Sequence, residues 1–353
     1  MMARQIGRRL RGWEGLLLVL LLVVLAFNVT QASNFLTVKN QINLFQLGIE
    51  KAIVILAMAF VIISGEIDLS VASMMGLSAA IAAALFERGL PLPLAILVAL
   101  GVGAGFGLIN GYFVAVVGVS SLAVTLAGYV GFRGLARLLV QDRSVGDFPD
   151  WFTDLGQRGL VGPLTLSIVI FAAFAIIATV VLHFSGFGRL TFVVGSSAPV
   201  ARFSGASVAR TKLLIFLVSG LVSALAGVLM AARLGAVRAS TAEGLELDII
   251  TVVLLGGVSI FGGVGSMIGV LLSTYLVLNL RNGLVIAGVT GNTQTGIIGL
   301  LLILSVLVPN LAGRVRNRPR RTDPQARTLY PGPAGSAGTA GAAGSAPSST
   351  APG

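Results

Sequence analysis

Long apolar runs with almost no charge follow one another from Leu16 to Pro309, and this pattern restricts the fold more than any other feature of the chain. The runs are continuous and do not alternate with polar residues, so they predict helices rather than the strands of a β-barrel. A helix needs roughly 20 apolar residues to cross the ~30 Å hydrocarbon core of a bilayer. Only 10% of the residues are charged, against about 25% in soluble domains. The sequence therefore predicts an all-α, polytopic protein embedded in the lipid bilayer.

Ten apolar runs are candidate membrane spans. They cover residues 15–28, 45–64, 69–87, 92–117, 121–140, 162–184, 212–232, 246–263, 265–280 and 293–311. The spans divide the chain into a basic N-terminus (1–14), a transmembrane domain (15–311) and a tail (312–353). The tail begins with arginines and continues in Pro, Gly, Ala, Ser and Thr, a composition that cannot bury enough apolar surface to offset chain entropy. We therefore predict that the tail is disordered.

Arginine placement predicts how the spans are oriented, because Lys and Arg are retained on the cytoplasmic side of a membrane. Basic residues concentrate in the N-terminus, in the loop 188–212 and in the tail after residue 312. Ten spans place all three segments on the same side. The loop 141–161 then lies outside, and its four aspartates outnumber its two arginines. We therefore expect both termini in the cytoplasm and the spans in the cytoplasmic, or inner, membrane.

The charges also bear on the classes of function that the chain can serve. The formal net charge of +11 reflects arginines that flank the spans, so we expect no nucleic-acid partner. Lys39, Lys51 and Lys212 are the only lysines, and none completes the phosphate-binding motif G-x-x-x-x-G-K-[ST]. No nucleophile or metal-ligand cluster accompanies the carboxylates, so we expect no catalytic residues, no metal site and no cofactor. Energy for transport then comes from an ion gradient or from another polypeptide.

Two pairs of carboxylates stand beside apolar runs, where a carboxylate is costly unless it is paired or solvated. Glu66 and Asp68 follow the second span, and Glu246 and Asp248 open the eighth. All four are candidates for a transport pathway or a hinge. For the first pair, the alternative is a short interfacial turn in which Asp68 caps the next helix through Ser70. The pairs lie five spans apart, an odd offset that allows an inverted repeat.

Glycines cluster in two segments, for which we predict different structural roles. In 101–107, a G-x-G-x-G string lacks the flanking strand and acidic residue of a dinucleotide site, so close packing of helices explains it better. In 256–265, five glycines in ten residues interrupt a helix, and we predict a turn or re-entrant element in the pathway. Asn110, inside the fourth span, is a further pathway candidate, because an uncharged polyol such as a sugar requires hydrogen-bonding groups. The glycine candidates for the pathway are Gly256, Gly257, Gly262 and Gly263.

Short motifs occur in a fixed order along the chain. They are GEIDLSV (65–71), NG (110–111), VTL (124–126), FRGL (132–135), GFGR (186–189), RFSG (202–205), AARLG (231–235), GLELD (244–248) and LGGVSIFGG (255–263). In this order they resemble the ribose-type sugar permeases of ATP-binding-cassette importers. GEIDLSV in particular is similar to the G-x-I-D-L-S-V signature of that family. The resemblance extends from about residue 15 to residue 311.

The resemblance implies a permease that acts together with other proteins. A second permease, two cytoplasmic ATPase subunits and an external sugar-binding protein complete such an importer, and the ATPases hydrolyse the ATP. The cytoplasmic loop, here 188–212, inserts a short coupling helix into the ATPase, and that helix is expected within 195–208. The candidate coupling residues are Arg189, Gly195, Pro199, Arg202, Ser204 and Gly205.

One segment of this loop departs from the family pattern. The family often carries an acidic residue and alanines before R-x-S-G, whereas this chain has Ser197-Ala198-Pro199-Val200-Ala201. Proline is tolerated in the first turn of a helix. We therefore expect the coupling helix to begin near Pro199.

The substrate and the energy source leave alternatives open. The stretches 65–68 and 233–246 most resemble rhamnose permeases, while ribose, xylose and autoinducer-2 permeases share most of the pattern. An ion-coupled secondary transporter is the rival class. It needs titratable groups at mid-membrane depth, whereas the carboxylates here stand near the ends of predicted spans. The sequence favours the permease of an importer for a monosaccharide, with rhamnose as the leading candidate.

Overall fold

Helices account for nearly all regular structure in the described part of the chain. The computed structural model describes residues 13–32, 35–141, 143–162, 164–291, 293–301 and 303. Its helices are α1 (Trp13–Gln31), α2 (Val38–Ile63), α3 (Val71–Glu87), α4 (Leu92–Tyr112), α5 (Ser121–Val140), α6 (Asp150–Gln157), α7 (Leu166–Phe184), α8 (Gly186–Ser196), α9 (Ala198–Phe203), α10 (Val208–Leu234), α11 (Leu245–Leu255) and α12 (Met267–Ile286). A π-helical turn, Phe113–Val117, extends α4, and two short strands, β1 (Gly159–Val161) and β2 (Leu164–Thr165), pair antiparallel. The predicted all-α class is confirmed.

Seven helices in the described residues are long and apolar enough to cross a membrane: α1, α2, α4 with its π-helical turn, α5, α7, α10 and α12. The predicted count of ten spans is not confirmed. The apolar α3 has 17 residues. Residues 293–301 are helical, but the predicted tenth span (293–311) extends beyond the described residues. The first twelve residues and the tail (312–353) lie outside them as well.

The predicted eighth span, 246–263, is wrong in its length. α11 ends at Leu255, and Gly256 and Gly257 follow it. Gly257 has a φ of +84°, a left-handed conformation that glycine adopts at little cost because it has no Cβ. The apolar residues after Leu255 therefore belong to a turn and do not continue the helix.

α2 forms the centre of the helix bundle. From Ile49 to Ile63 every residue except Phe60 is buried, which is typical of a helix surrounded by other helices. α7, α10, α11 and α12 all pack against it. By contrast, α1 and α7 expose apolar side chains such as Val23 (60% exposed) and Ile176 (66% exposed), and these faces are suited to lipid.

Glycines bring α4 and α10 close together. Gly103 and Gly107 of α4 face Gly220 of α10, and a Cβ at Gly107 would lie 3.2 Å from the Gly220 Cα. Gly101 points away from α10, and a Cβ there would have no described atom within 4 Å. Small residues at this interface let the two backbones approach. The glycine string in 101–107 therefore packs helices, as the sequence predicts.

The loop between α5 and α7 covers the end of α10 at which Leu234 lies. Val145 exchanges two backbone hydrogen bonds with Val237, of 2.9 and 2.8 Å. Arg143, in the same loop, donates two hydrogen bonds of 2.8 Å to the Glu87 carboxylate at the end of α3. These hydrogen bonds lower the pKa of Glu87 below its ordinary value. The loop is thus attached to both α3 and the segment after α10.

Candidate functional site

The predicted coupling loop 188–212 is folded into helices. α8 occupies its first part, α9 follows, and α10 begins soon after. Ser197 Oγ accepts a hydrogen bond from Val200 N (3.4 Å) at the start of α9. Pro199 lies in the first turn of this helix, where its missing N–H leaves no hydrogen bond unmade. A short helix within 195–208 is therefore confirmed, whereas α8 was not predicted.

α9 is anchored by one face and exposed on the other. Ala201 is buried in a cluster with Val194 and Val208. On the opposite face, Phe203 is 94% exposed and Val200 is 60% exposed. Large apolar side chains that stand exposed beside polar residues favour a protein partner. Five predicted coupling residues are exposed as well: Arg189, Pro199, Arg202, Ser204 and Gly205.

Gly195 lies where three segments of the chain meet. A Cβ at Gly262 would lie 2.7 Å from the Gly65 Cα and 2.9 Å from the Gly195 carbonyl oxygen. Next to this contact, Gly263 N donates a hydrogen bond to the Ile63 carbonyl (2.8 Å). Side chains at these positions would push the backbones apart. The end of α8, the turn after α2 and the glycine turn before α12 are therefore in direct backbone contact.

The first half of the glycine turn packs against two other helices. A Cβ at Gly256 would lie 2.7 Å from the Val270 Cα of α12. The Trp13 side chain covers Gly257, and its indole N–H donates to the Leu255 carbonyl (2.8 Å). The turn predicted for 256–265 is confirmed. Its glycines are needed for close contact with neighbouring backbone and side chains.

Glu66 forms an ion pair with Lys212, in the first turns of α10. The two side chains are only 12% and 15% exposed, so Glu66 is not simply a solvated residue of an interfacial turn. We refer to this end of α10, with α8, α9 and the turns 64–70 and 256–265, as the Lys212 end. The opposite end of α10 is the Arg233 end.

Asp68 is the acceptor at the centre of a buried hydrogen-bond network. Its Oδ1 accepts from Ser70 N (2.9 Å) and Ser70 Oγ (2.6 Å), and its Oδ2 accepts from Ser219 Oγ of α10 (3.0 Å). Asn110 Nδ2 of α4 donates to Ser70 Oγ (3.1 Å). Asp68 thus contacts Ser70, the residue before α3, but no described side chain caps the start of that helix, so the predicted cap is wrong. Asp68 also joins the turn after α2 to α10.

Three ion pairs connect four helices at the Arg233 end. Arg233 Nε of α10 lies 2.6 Å from Glu50 Oε1 of α2. Asp248 Oδ2 of α11 lies 3.2 Å from Lys51 Nζ of α2 and 2.6 Å from Arg281 Nη2 of α12. The Glu50 side chain is 3% exposed. Each carboxylate in this cluster therefore has a basic partner on another helix, which offsets much of the cost of its burial.

Glu246 belongs to a neighbouring group at the start of α11. Its Oε2 lies 3.9 Å from Arg133 Nη2, and Arg133 also pairs with Glu243 at 2.9 Å. The Arg133 guanidinium lies 4.5 Å from the centre of the Tyr129 ring. Gly244, with a φ of +83°, precedes α11. Glu246 and Asp248, predicted together, thus contact different basic groups.

A cavity of about 300 Å³ opens beside the ion pairs of the Arg233 end. Its polar and charged lining residues are Glu50, Lys51, Arg233, Asp248, Arg281, Asn282 and Gln294. Apolar residues of α2, α10, α11 and α12 complete the wall. Hydrogen-bonding groups on an apolar frame are typical of sites for small polar molecules.

The two predicted E-x-D segments lie at opposite ends of the bundle. The first follows Gly65 (φ +84°) at the Lys212 end, and the second follows Gly244 (φ +83°) at the Arg233 end. The first segment precedes α3, the second lies in the first turn of α11, and both helices are shorter than the main spans. This arrangement is the one expected of an inverted repeat.

Several residues of the Arg233 end were not singled out as site residues from the sequence. In the sequence, Glu50 and Lys51 stand out as charges within a long apolar run. Charged residues inside a membrane helix often mark a functional site. Arg233, Arg281 and Asn282 stand near span ends, where polar residues are common. Only the packing of α2, α10, α11 and α12 brings them together with Asp248.

Comparisons with known proteins agree with this architecture. Residues 40–306 match the family described as branched-chain amino acid transport system / permease component. The autoinducer 2 import system permease protein LsrD of Yersinia enterocolitica is 35% identical over 304 residues, which cover 84% of this chain and 91% of that protein. The proteins of the same name from Salmonella paratyphi B and Yersinia pseudotuberculosis are 36% identical over 261 residues, covering 72% of this chain and 78% of each relative. No solved structure matches the chain significantly.

These relatives are transport permeases and not enzymes, and they agree with the ordered motifs from GEIDLSV to LGGVSIFGG. The match covers most of the helices described above, including α2, α8, α9, α10 and α11. The chain therefore belongs to the permease-component family of branched-chain amino acid transport systems, as a ribose-type permease of ATP-binding-cassette importers.

Proposed function

We propose that this chain carries autoinducer 2, or a monosaccharide of similar size, into the cell as one subunit of an ATP-driven importer. The observation that carries the proposal is α9, a short helix that is anchored at Ala201 and exposes Phe203. The identity of 35–36% to permeases named for autoinducer 2 supports that substrate. Rhamnose, favoured by the motifs alone, is the second candidate. Membership of the family favours ATP-driven import over ion-coupled transport.

On this proposal, α9 docks into a cytoplasmic ATPase subunit that hydrolyses the ATP. Aromatic and arginine side chains dominate the binding energy of many protein interfaces. Phe203 and Arg202 are adjacent and exposed on α9, and they are the residues that we expect to contact the ATPase. A second permease and an external binding protein complete the importer.

The Lys212 end faces the cytoplasm on this proposal. Basic residues are retained on that side of a membrane, and the segment from α8 to the start of α10 carries Arg189, Arg202, Arg210 and Lys212. α1 supports the same orientation, because Trp13 at its start contacts Leu255 at the Lys212 end. The basic N-terminus immediately precedes Trp13. The Arg233 end then faces outward, towards the binding protein.

The contact between Gly195, Gly65 and Gly262 provides a route for the movement. When the ATPases close, they displace α9 and α8, and the close backbone contact at Gly195 passes the displacement to the turns that adjoin α2 and α11. Away from these turns, α2 holds Glu50 and Lys51 at its middle, and α11 holds Asp248 in its first turn. Movement at the Lys212 end therefore changes the geometry of the charged cluster at the Arg233 end, which is the requirement for alternating access.

Uptake by cells that express the complete importer tests this function. Labelled autoinducer 2, L-rhamnose and D-ribose are each supplied to cells with and without this chain. We expect chain-dependent uptake of autoinducer 2 that stops when ATP is depleted and persists with an uncoupler while ATP is maintained. Uptake that the uncoupler abolishes at a normal ATP level would contradict an ATP-driven importer. Uptake of rhamnose alone would show that rhamnose, and not autoinducer 2, is the substrate. The proposal of an ATP-driven importer would still stand.

A further inference from the structure

A second cavity, of about 230 Å³, lies between α2, α7 and α10. Every side chain that lines it is apolar. Buried residues of α2, such as Leu56, form its floor, and residues of α7 and α10 form its two walls. Phe187 of α8 adds to the wall at the Lys212 end. We refer to this cavity as the α7–α10 groove.

The lining and the position of the groove favour a hydrocarbon chain as its occupant. A sugar would lose its hydrogen bonds with water there and regain none from the lining, which is costly. The rim is open, because Ile177, Leu214 and Val218 are 55%, 45% and 50% exposed. Ile176, next to Ile177 on α7, belongs to the face suited to lipid. The groove therefore opens sideways from the bundle, towards the acyl chains of the bilayer.

An arginine stands in line with this rim on α10. Arg210, Leu214 and Val218 follow one another at intervals of four residues, so they share one face of the helix. Arg210 is exposed. Side chains on a helix lean towards its N-terminus, and long basic side chains extend from apolar surface to the polar edge of a membrane. The Arg210 guanidinium is thus placed at the end of the groove where α10 begins.

The charges around this arginine favour an anionic head on the occupant. The segment 186–212 carries Arg189, Arg202, Arg210 and Lys212 and contains no carboxylate. Lys212 is paired with Glu66, whereas the Arg210 side chain forms no ion pair with any residue that the structure describes. Basic residues beside membrane spans attract anionic lipid headgroups. An apolar groove that ends at an unpaired cation is therefore complementary to a molecule with an apolar chain and an anionic head.

We propose that the α7–α10 groove binds one anionic phospholipid, with an acyl chain along Leu214 and Val218 and its phosphate at Arg210. In that position the lipid connects α7 with α10. On the orientation proposed above, it comes from the cytoplasmic leaflet. The inference goes beyond the proposed function and does not depend on it, because the lipid binds whether or not the chain transports a sugar.

The test counts the lipids bound to the purified full-length chain in mild detergent by native mass spectrometry. Delipidated chain is titrated with dioleoylphosphatidylglycerol or dioleoylphosphatidylcholine, which share their acyl chains and differ in the net charge of the headgroup. We expect about fivefold tighter binding of the anionic lipid, the contribution of one basic residue near a membrane surface. Arg210→Gln should remove this preference and leave the affinity for phosphatidylcholine unchanged. Arg88→Gln, at an exposed arginine of the opposite end, should keep the preference.

Larger side chains on the rim test the apolar part of the site. Val218→Trp places an indole in the groove and should lower the affinity for both lipids severalfold. Ile177→Trp tests the opposite wall, in case Val218→Trp does not insert into the membrane. Val130→Trp is the matched control, because this valine of α5 is 64% exposed and lies outside the groove.

Three results would overturn the inference. The first is equal affinity of the wild-type chain for the two lipids, and the second is a preference that survives Arg210→Gln. The third is unchanged lipid binding in the assembled tryptophan variants. If those variants lose a permease dimer and keep the lipid, a second copy of the chain occupies the groove instead. None of these results bears on ATP-driven uptake, so the proposed function is tested separately.

Discussion

Arg233 Nε lies 2.6 Å from Glu50 Oε1 and joins the last turn of α10 to the middle of α2. At the other end of α10, Lys212 pairs with Glu66 in the turn that follows α2. The same two segments of the chain are thus connected by an ion pair at each end of the bundle. Between these pairs, Asp68 and Ser219 add a buried hydrogen bond of 3.0 Å. We expect α2, its following turn and α10 to behave as one rigid unit.

Loss of Arg233 should destabilise this unit strongly. Arg233→Met leaves the Glu50 carboxylate buried without its partner, and breaking a buried ion pair in this way costs about 3–5 kcal/mol. The free energy of unfolding of the purified permease in detergent measures the effect. The double variant Glu50→Gln with Arg233→Met removes both charges and should recover most of the loss.

A matched control for this prediction is Arg210→Met. Arg210 is exposed at the Lys212 end, and surface substitutions of this kind change stability by about 0.5 kcal/mol or less. Equal effects of the Arg210 and Arg233 substitutions would show that the pair between Arg233 and Glu50 makes no special contribution.

Phe203→Asp should disrupt the docking of the ATPase. Phe203 is 94% exposed, so the substitution disturbs little inside the permease, while an aromatic residue at an interface contributes about 2 kcal/mol or more. The affinity for the ATPase, measured with the detergent-solubilised permease, should therefore fall about thirtyfold. Phe203→Leu, which keeps an apolar side chain, should lose much less. An unchanged affinity in the Asp variant would exclude Phe203 from the interface.

Gly262→Ala should impair the permease because it strains the backbone at this position. The residue has a φ of +79°, which costs an alanine about 1–2 kcal/mol, and its Cβ would lie 2.7 Å from the Gly65 Cα. We expect lower stability and a larger loss of uptake, because the clash separates the segments that meet at Gly195. Gly101→Ala is the control, since a Cβ there meets no described atom within 4 Å. Normal uptake by Gly262→Ala would argue against transmission through this contact.

Substitutions in the hydrogen-bond network around Asp68 should lower the free energy of unfolding by different amounts. Asp68→Ala leaves the hydroxyls of Ser70 and Ser219 without their acceptor, at about 1–3 kcal/mol for each buried group. Asn110→Ala removes one donor from Ser70 Oγ and should cost about 1 kcal/mol. The free energies of unfolding of the two purified variants, compared with that of the wild type, measure these two losses. A larger loss for Asn110→Ala than for Asp68→Ala would contradict the central position of Asp68.

The family resemblance predicted a helix within 195–208, and local patterns in the sequence predicted its start near Pro199 and the glycine turn. Pro199 and the polar residues around it act within one helical turn, and the glycines at 256–265 interrupt a helix wherever they stand. The prediction of one span over 246–263 failed because average hydropathy does not register where a helix ends. α8 was missed because the basic residues of the segment 188–212 as a whole suggested a loop, although Val194 of α8 faces a small apolar cluster.

The charged cluster of the Arg233 end could not be assembled from the sequence. Lys51 and Asp248 are separated by 197 residues, and Glu50 and Arg233 by 183. Such pairs depend on the way that α2, α10, α11 and α12 pack, and no short motif encodes that packing. The carboxylates next to apolar runs indicated that the region was unusual. The structure was needed to identify their partners and the cavity beside them.

The central claim, that α9 couples this permease to an ATPase, is tested most directly by purification of the tagged chain in mild detergent. We predict that a soluble ATPase subunit co-purifies with the wild-type chain and is absent when residues 198–204 are deleted, although the deletion variant still inserts into the membrane. Recovery of the wild-type chain alone, with transport that continues without ATP, would contradict the claim.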